Sequence, residues 1–247
     1  MLKKIYRIES ITDDIWICRV DIAGFVGRCL KGIPSVGYEK RRRVEVDGTI
    51  FKEEIFSAAE LLMLNGFKTL KKQVEWMSGR YAVKKLVSVY GAGAGVALSA
   101  IEVSYGKSGA PFLSRFGGLS ISISHSHNYA VGGISLGAGV TIGLDIEKIQ
   151  AKDPADIIRV AFTDREKRAL AKDTPLDFYT RWTAKEAYLK YIGQGFNESL
   201  KKVEFIGGQI YHHNACVRGI VLRHQSIDGE YAFTVVHGTA QGEALRP

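Results

Sequence analysis

The chain has 247 residues, 46% apolar and 24% charged, enough to build a packed core, which excludes a disordered or fibrous polymer. Lysine and arginine outnumber aspartate and glutamate 34 to 26, a formal charge of +8. That charge favours anionic partners without choosing among nucleic acid, phosphorylated small molecules and acidic proteins.

At the start, MLKKIYRIES lacks an apolar run, and no signal peptide is expected. Cys18, Cys29 and Cys216 are widely spaced, without metal or redox spacing, so a reduced, cytoplasmic protein is expected. The longest uncharged apolar stretch, around 130–144, is glycine-rich and too short for a bilayer; no membrane partner is expected. Residues 1–50 read as short strands and turns, with the basic run Lys40 to Arg43 as a solvated loop. FSAAELLML then opens a helix, with Ser57 as N-cap and Glu60 as its capping-box partner. A second helix, KKQVEWMSGRYAVKKLVSVY, carries Val74, Met77, Tyr81 and Leu86 near helical spacing. The cluster GAGAG, Gly91 to Gly95, ends it. It misses the dinucleotide-binding pattern, because the sixth position is Val96 counted from Gly91, or Leu98 counted from Gly93.

From Leu119 the period changes. LSISIS alternates, and YAVGGIS and VTIGLDIEKI read as further strands. FTDREKRAL starts a helix, with Thr163 and Glu166 spaced as a capping box, and DFYTRWTAKEAYLKYIG continues the helical region. Strand-like alternation returns from Lys202 to His237. No short repeat is evident and no strict βαβα order appears, so the expected fold class is α+β.

In VTIGLDIEKI a strand puts Ile142, Leu144 and Ile146 on one side and Gly143, Asp145 and Glu147 on the other. Two carboxylates on one face suit either a hard divalent cation such as Mg²⁺ or the solvated side of an amphipathic strand. Trp182, Glu186 and Lys190 share a helix face, with Lys185 about a third of a turn away. Glu186 fits a third metal ligand or a general base, and Lys190 a phosphate donor; a salt-bridged surface helix is the plainer reading. In SISHSHN, Ser124 and His125 sit at a strand end, as phosphate donors or as structural residues. His127 completes no zinc set.

In order along the chain stand EWMSGRYAVKK, SGAPFL, ISHS, GLDIE, FTDRE and WTAKEAYLK. Together these blocks, within about residues 56–205, resemble the 4'-phosphopantetheinyl transferase superfamily, in its larger, Sfp-like branch. The resemblance implies a pseudo-dimer of two similar α+β halves, here residues 1–118 and 119–247, with coenzyme A in the cleft between them, and a monomer. It implies Mg²⁺-dependent transfer of 4'-phosphopantetheine from coenzyme A to a serine of an apo acyl or peptidyl carrier protein, releasing 3',5'-ADP. Asp145, Glu147 and Glu186 would hold Mg²⁺; Glu186 would also take the serine proton, and Lys190 would serve the departing phosphate. Ser124, His125 and Lys185 would contact coenzyme A phosphates. Glu166 matches a recurring family glutamate, but its capping-box spacing favours a structural role.

Three positions depart from the family pattern: Ala110 replaces a lysine, Ser122 an asparagine, and Met63 falls near a usual arginine. Lys107 is a candidate substitute for the first; Lys71, Lys72, Arg80 or Lys84 for the last. The alternative function is a non-catalytic relative that binds coenzyme A or a carrier. Nucleic-acid binding rests on charge and Lys40 to Arg43 alone, with no accompanying motif, and is not expected.

Overall fold

A computed structural model describes residues 5–91, 95–151, 154–170 and 174–239. Its contacts divide the chain into two compact units, one of residues 1–105 with 111–138, the other of residues 106–110 with 139–247. The mixture of helices and antiparallel sheets is the expected α+β class.

The first unit opens with the hairpin β1 (Tyr6–Thr12) and β2 (Ile15–Asp21), followed by α1 (Ile22–Cys29). The Asp21 side chain caps α1 by accepting from Gly24 N at 3.2 Å. This helix corrects the expectation of strands and turns alone. Its buried Ile22, Phe25, Val26 and Cys29 have helical spacing, but eight residues with two glycines give a weak signal. Next come α2 (Ala58–Asn65) and α3 (Leu70–Tyr90), both at their expected positions. The Ser57–Glu60 capping box forms in both directions, and Gly91 ends α3. The rest of the glycine cluster, Ala92, Gly93 and Ala94, lies outside the described residues. The short hairpin β3 (Val103–Tyr105) and β4 (Pro111–Leu113) precedes β5 (Ser120–Ser126) and β6 (Tyr129–Ser135).

The main sheet of this unit runs β1-β2-β6-β5, and α3 packs across it. A Cβ on Gly132 of β6 would sit 2.8 Å from Val83 N, so glycine permits the close approach of helix and sheet. The boundary between the two compact units falls at 138/139. The reason is strand pairing: β6 pairs with β2, Cys18 opposite Gly132, and carries β5 with it. The run Lys40 to Arg43 is exposed, as expected of a solvated loop.

The second unit holds β7 (Val140–Lys148), α4 (Ala155–Ala161), α5 (Asp164–Leu170) and α6 (Pro175–Tyr191). It continues with β8 (Val203–Ile206), β9 (Gln209–His212), β10 (Ala215–Cys216), β11 (Ile220–Ile227) and β12 (Tyr231–Thr239). The strands form two sheets, β11-β12-β7 and β10-β9-β8, with α6 packed on β7 and β12. A capping box of Thr174 and Asp177, with Pro175 at the first helical position, starts α6. No described helix is long and apolar enough to cross a membrane.

The two units share a device that no short repeat announced. FSAAE precedes α3 and FTDRE precedes α6. In each, the hydroxyl residue and the glutamate form a capping box, Ser57 with Glu60 and Thr163 with Glu166. Each glutamate then takes a buried lysine from the long helix at 2.6 Å, Lys84 in one and Lys185 in the other. The second carboxylate oxygen accepts a strand amide, Val103 N at 3.2 Å and Phe205 N at 3.0 Å. Even the phenylalanine recurs, with Phe56 and Phe162 rings 5.3 and 4.6 Å from the respective ammonium groups.

Candidate active site

Gly143 sets the geometry of the carboxylate face. A Cβ there would lie 2.1 Å from Ala187 O and 2.3 Å from Tyr191 N, so only glycine lets α6 lie this close to β7. The face shared by Gly143, Asp145 and Glu147 is therefore covered by a helix and is not the solvated side of an amphipathic strand. Ile142, Leu144 and Ile146 are buried too. Both faces of β7 are occupied, and alternation alone does not distinguish them.

Under that helix Lys190 Nζ meets Asp145 Oδ1 at 2.7 Å. Asp145 is 1% exposed and Glu186 7%, so the two carboxyls share a low-dielectric space. Burial, then the Asp145 charge, pushes the Glu186 carboxyl up to about 8, with Glu147 adding to the rise and Lys190 opposing it. Glu186 and Lys190 thus lie on one helix face, one turn apart, both directed at the same strand. The charge crowding and the oxygen-only donor set of Asp145, Glu147 and Glu186 fit a hard divalent cation.

Lys185 points elsewhere, into the interior of the second unit. It is fully buried, donating to Glu166 Oε2 and to Ala161 O at 2.6 Å each. Burial pulls its ammonium below the ordinary lysine range, against the pull of Glu166. In this arrangement Lys185 is an internal ion-pair member. Glu166 takes the structural role expected of it. Glu204, not singled out from sequence, extends the same network by accepting from Thr163 Oγ1 at 2.6 Å and Arg165 Nη1 at 3.1 Å.

Arg80 is held among aromatic rings. It is 1% exposed, its guanidinium carbon 3.3 Å from the Trp76 ring centre and 4.7 Å from that of Tyr105. The guanidinium stacks inside the first unit, with Nε and Nη2 buried and without a hydrogen-bond partner. Lys84, another proposed substitute, is consumed by Glu60. Lys107 is exposed in the turn after β3. That turn docks beside the loop after α6, with Asn197 Nδ2 donating to Ser108 O at 2.6 Å. Ser124 and His125 belong to the first unit, on β5; Ser124 is buried, and His125 Nδ1 lies 3.8 Å from Glu75 Oε2.

The family model for the 4'-phosphopantetheinyl transferase superfamily matches residues 141–236. A holo-[acyl-carrier-protein] synthase of Streptococcus agalactiae is 36% identical over 104 residues, 40% of this chain and 82% of that protein. The 4'-phosphopantetheinyl transferase HetI of Nostoc sp. is 28% identical over 156 residues, 60% of this chain and 63% of that protein. The human L-aminoadipate-semialdehyde dehydrogenase-phosphopantetheinyl transferase is 28% identical over 145 residues, 52% of this chain and 45% of that protein. The matched segment 141–236 runs from β7 through α6 to β12 and so includes Asp145, Glu147, Glu186 and Lys190. The chain is an enzyme belonging to the 4'-phosphopantetheinyl transferase superfamily.

Proposed function

We propose that the chain moves the 4'-phosphopantetheine arm of coenzyme A onto a serine of an apo acyl or peptidyl carrier protein, with Mg²⁺, at the face between β7 and α6. The observation that carries this reading is the Gly143-enforced contact that seats Glu186 and Lys190 over Asp145. Asp145, Glu147 and Glu186 would hold the metal. A bound Mg²⁺ supplies Lewis-acid neutralisation of the pyrophosphate.

The chain's own groups do the rest. Serine is a poor nucleophile until a base takes its proton, and Glu186, kept ionised by the bound metal, is the base assigned to that task. As the serine Oγ bonds to the phosphorus bearing the pantetheine arm, its proton passes to Glu186. The bond from that phosphorus to the bridging oxygen breaks, and 3',5'-ADP leaves with the electron pair. Lys190 supplies an ammonium where that negative charge collects. Ser124 and His125 are assigned to coenzyme A phosphates, and the net positive charge suits both a polyanionic substrate and an acidic carrier. The two units are read as the halves of an internally duplicated fold, supported by the repeated glutamate–lysine device.

The test is to incubate the purified protein with coenzyme A, Mg²⁺ and a panel of apo carrier proteins and to read intact carrier masses. A gain of one phosphopantetheine, abolished by EDTA, is the expected result. Measurable coenzyme A binding with no gain on any carrier would favour the non-catalytic relative.

A further inference from the structure

Away from the carboxylate face, the second unit gathers Glu198, His212 and His213, whose donor atoms all lie within 4.8 Å of one another. Glu198 stands in the loop leading to β8, His212 ends β9, and His213 follows in the turn to β10. His213 and Asn214 both have positive φ, 49° and 65°, and the strand pairing puts Ala215 opposite His212. This two-residue turn sets the imidazoles side by side, ring centres 4.4 Å apart.

The outer contacts of the group are already made. Lys202 Nζ at 2.8 Å and Ser199 N at 3.1 Å both donate to Glu198 Oε1. They fix the carboxylate so that Oε2 is 3.8 Å from His212 Nε2 and 3.7 Å from His213 Nε2. On the far side of His212, Nδ1 lies 3.2 Å from the Tyr188 hydroxyl. With Nδ1–H donating to that hydroxyl, the imidazole lone pair rests on Nε2. Nε2 is buried without a hydrogen-bond partner, on a side chain only 10% exposed.

An imidazole whose second nitrogen is held by a hydroxyl, facing an oriented carboxylate and a second imidazole, is the usual preparation for a metal ligand. Tetrahedral zinc with bonds of about 2.1 Å needs neighbouring ligand atoms about 3.4 Å apart. The observed gaps close with small side-chain rotations. From this geometry we infer a second metal site, distinct from the carboxylate face, in which Glu198 Oε2, His212 Nε2 and His213 Nε2 bind a borderline divalent transition ion, Zn²⁺ foremost, with water in the fourth position. Nitrogen-rich donors select against Mg²⁺. The ion would tie the β9–β10 turn and the loop before β8 to α6 through Tyr188.

The test uses the whole chain, stripped with chelator and equilibrated with ZnCl₂ under excess Mg²⁺, with bound metal counted by mass spectrometry. One zinc per chain is expected, retained in Asp145→Asn and lost in His212→Gln. His213→Ala, at a side chain 59% exposed, removes a ligand without disturbing the core and should also lose the metal. Tyr188→Phe should weaken zinc about tenfold, and zinc should raise the melting temperature of the parent chain but not of His213→Ala. No zinc on the parent chain, or zinc that persists in both histidine variants, overturns the site. So does zinc that departs with Asp145, which would belong to the carboxylate face. None of these readouts depends on phosphopantetheine transfer.

Discussion

The two long helices meet their sheets through the same buried device and then diverge one residue later. In α3, Lys84 pairs with Glu60; in α6, Lys185 pairs with Glu166. The next residue is Lys85 in one helix and Glu186 in the other, and four residues further stand Val89 and Lys190. Lys85 lies 5.2 Å from the Tyr81 ring centre, and Val89 is 52% exposed. The strand carboxylate follows the same division: Gly132 of β6 is followed two residues on by Ile134, and Gly143 of β7 by Asp145. Both units hold the same buried pair, and only the second sets a glutamate and a lysine, Glu186 and Lys190, on the helix residues that follow it. The buried glutamate–lysine pair is therefore a fold device, and the proposed chemistry lives on the neighbouring helix face.

That separation predicts where the largest effect falls. Glu186→Gln keeps shape and removes the base, so transfer should drop by about 10²- to 10⁴-fold with the melting temperature unchanged or raised. Lys85→Gln, at the matching position of α3, should leave the rate within a few-fold. Carrier masses under single-turnover conditions measure both. Equal losses would mean that the helix position matters and not the carboxyl.

Next come the buried pairs. Removing one partner strands a charge in the interior, a cost of about 3–5 kcal/mol, so Lys84→Met and Lys185→Met should unfold at similarly reduced denaturant concentrations. Pairing each with Glu60→Gln or Glu166→Gln should recover part of the loss, since the orphaned charge is then gone. If Lys185→Met left stability intact and abolished coenzyme A binding instead, the expected phosphate role of Lys185 would be restored and the parallel between the units broken.

Much of this was legible beforehand, for physical reasons that differ by residue. Capping boxes at Ser57 and Thr163 are local, so spacing alone located them. The helix face of Glu186 and Lys190 follows from the 3.6-residue period. The destination of a lysine is not local. Lys185 and Lys190 look alike in sequence, and only the packing of α6 sends one to Glu166 and the other to Asp145. Arg80 meets one local ring, Trp76, and one distant in sequence, Tyr105. The recurrence of F-[ST]-x-x-E at Phe56 and Phe162 was visible in the letters, but five residues about a hundred apart carry little weight until both glutamates are seen to take a helix lysine. The His212–His213 pair gave no metal spacing because its third member, Glu198, comes from a loop preceding β8.

The glycines allow a finer cut. Gly143→Ala would put a Cβ 2.1 Å from the α6 backbone, and Gly132→Ala one 2.8 Å from that of α3. Overpacking of this kind costs about 1–3 kcal/mol, with Gly143 at the upper end because its clash with backbone is the closer of the two, 2.1 against 2.8 Å. Both variants should lower the denaturation midpoint. Only Gly143→Ala should also weaken Mg²⁺ binding, by moving Glu186 and Lys190 away from Asp145; titration calorimetry distinguishes them.

The smallest effect is a proton. Metal-free, Glu186 titrates near 8 in the folded chain against an ordinary 4.5, so between those values the native state holds more protons than the unfolded one. Stability then falls as pH rises through that window, whereas the usual buried, salt-bridged carboxylate gives a rise. Bound Mg²⁺ favours the ionised form and so should expel that proton, close to one per chain at pH 7. Calorimetry of Mg²⁺ binding in two buffers of different ionisation enthalpy counts it directly. In Glu186→Gln the release should vanish and the fall in stability from pH 5 to 8 should flatten, while Lys85→Gln in the first unit should change neither. A proton release that survives Glu186→Gln would place the raised carboxyl elsewhere on β7 and remove Glu186 from the metal's ligand set.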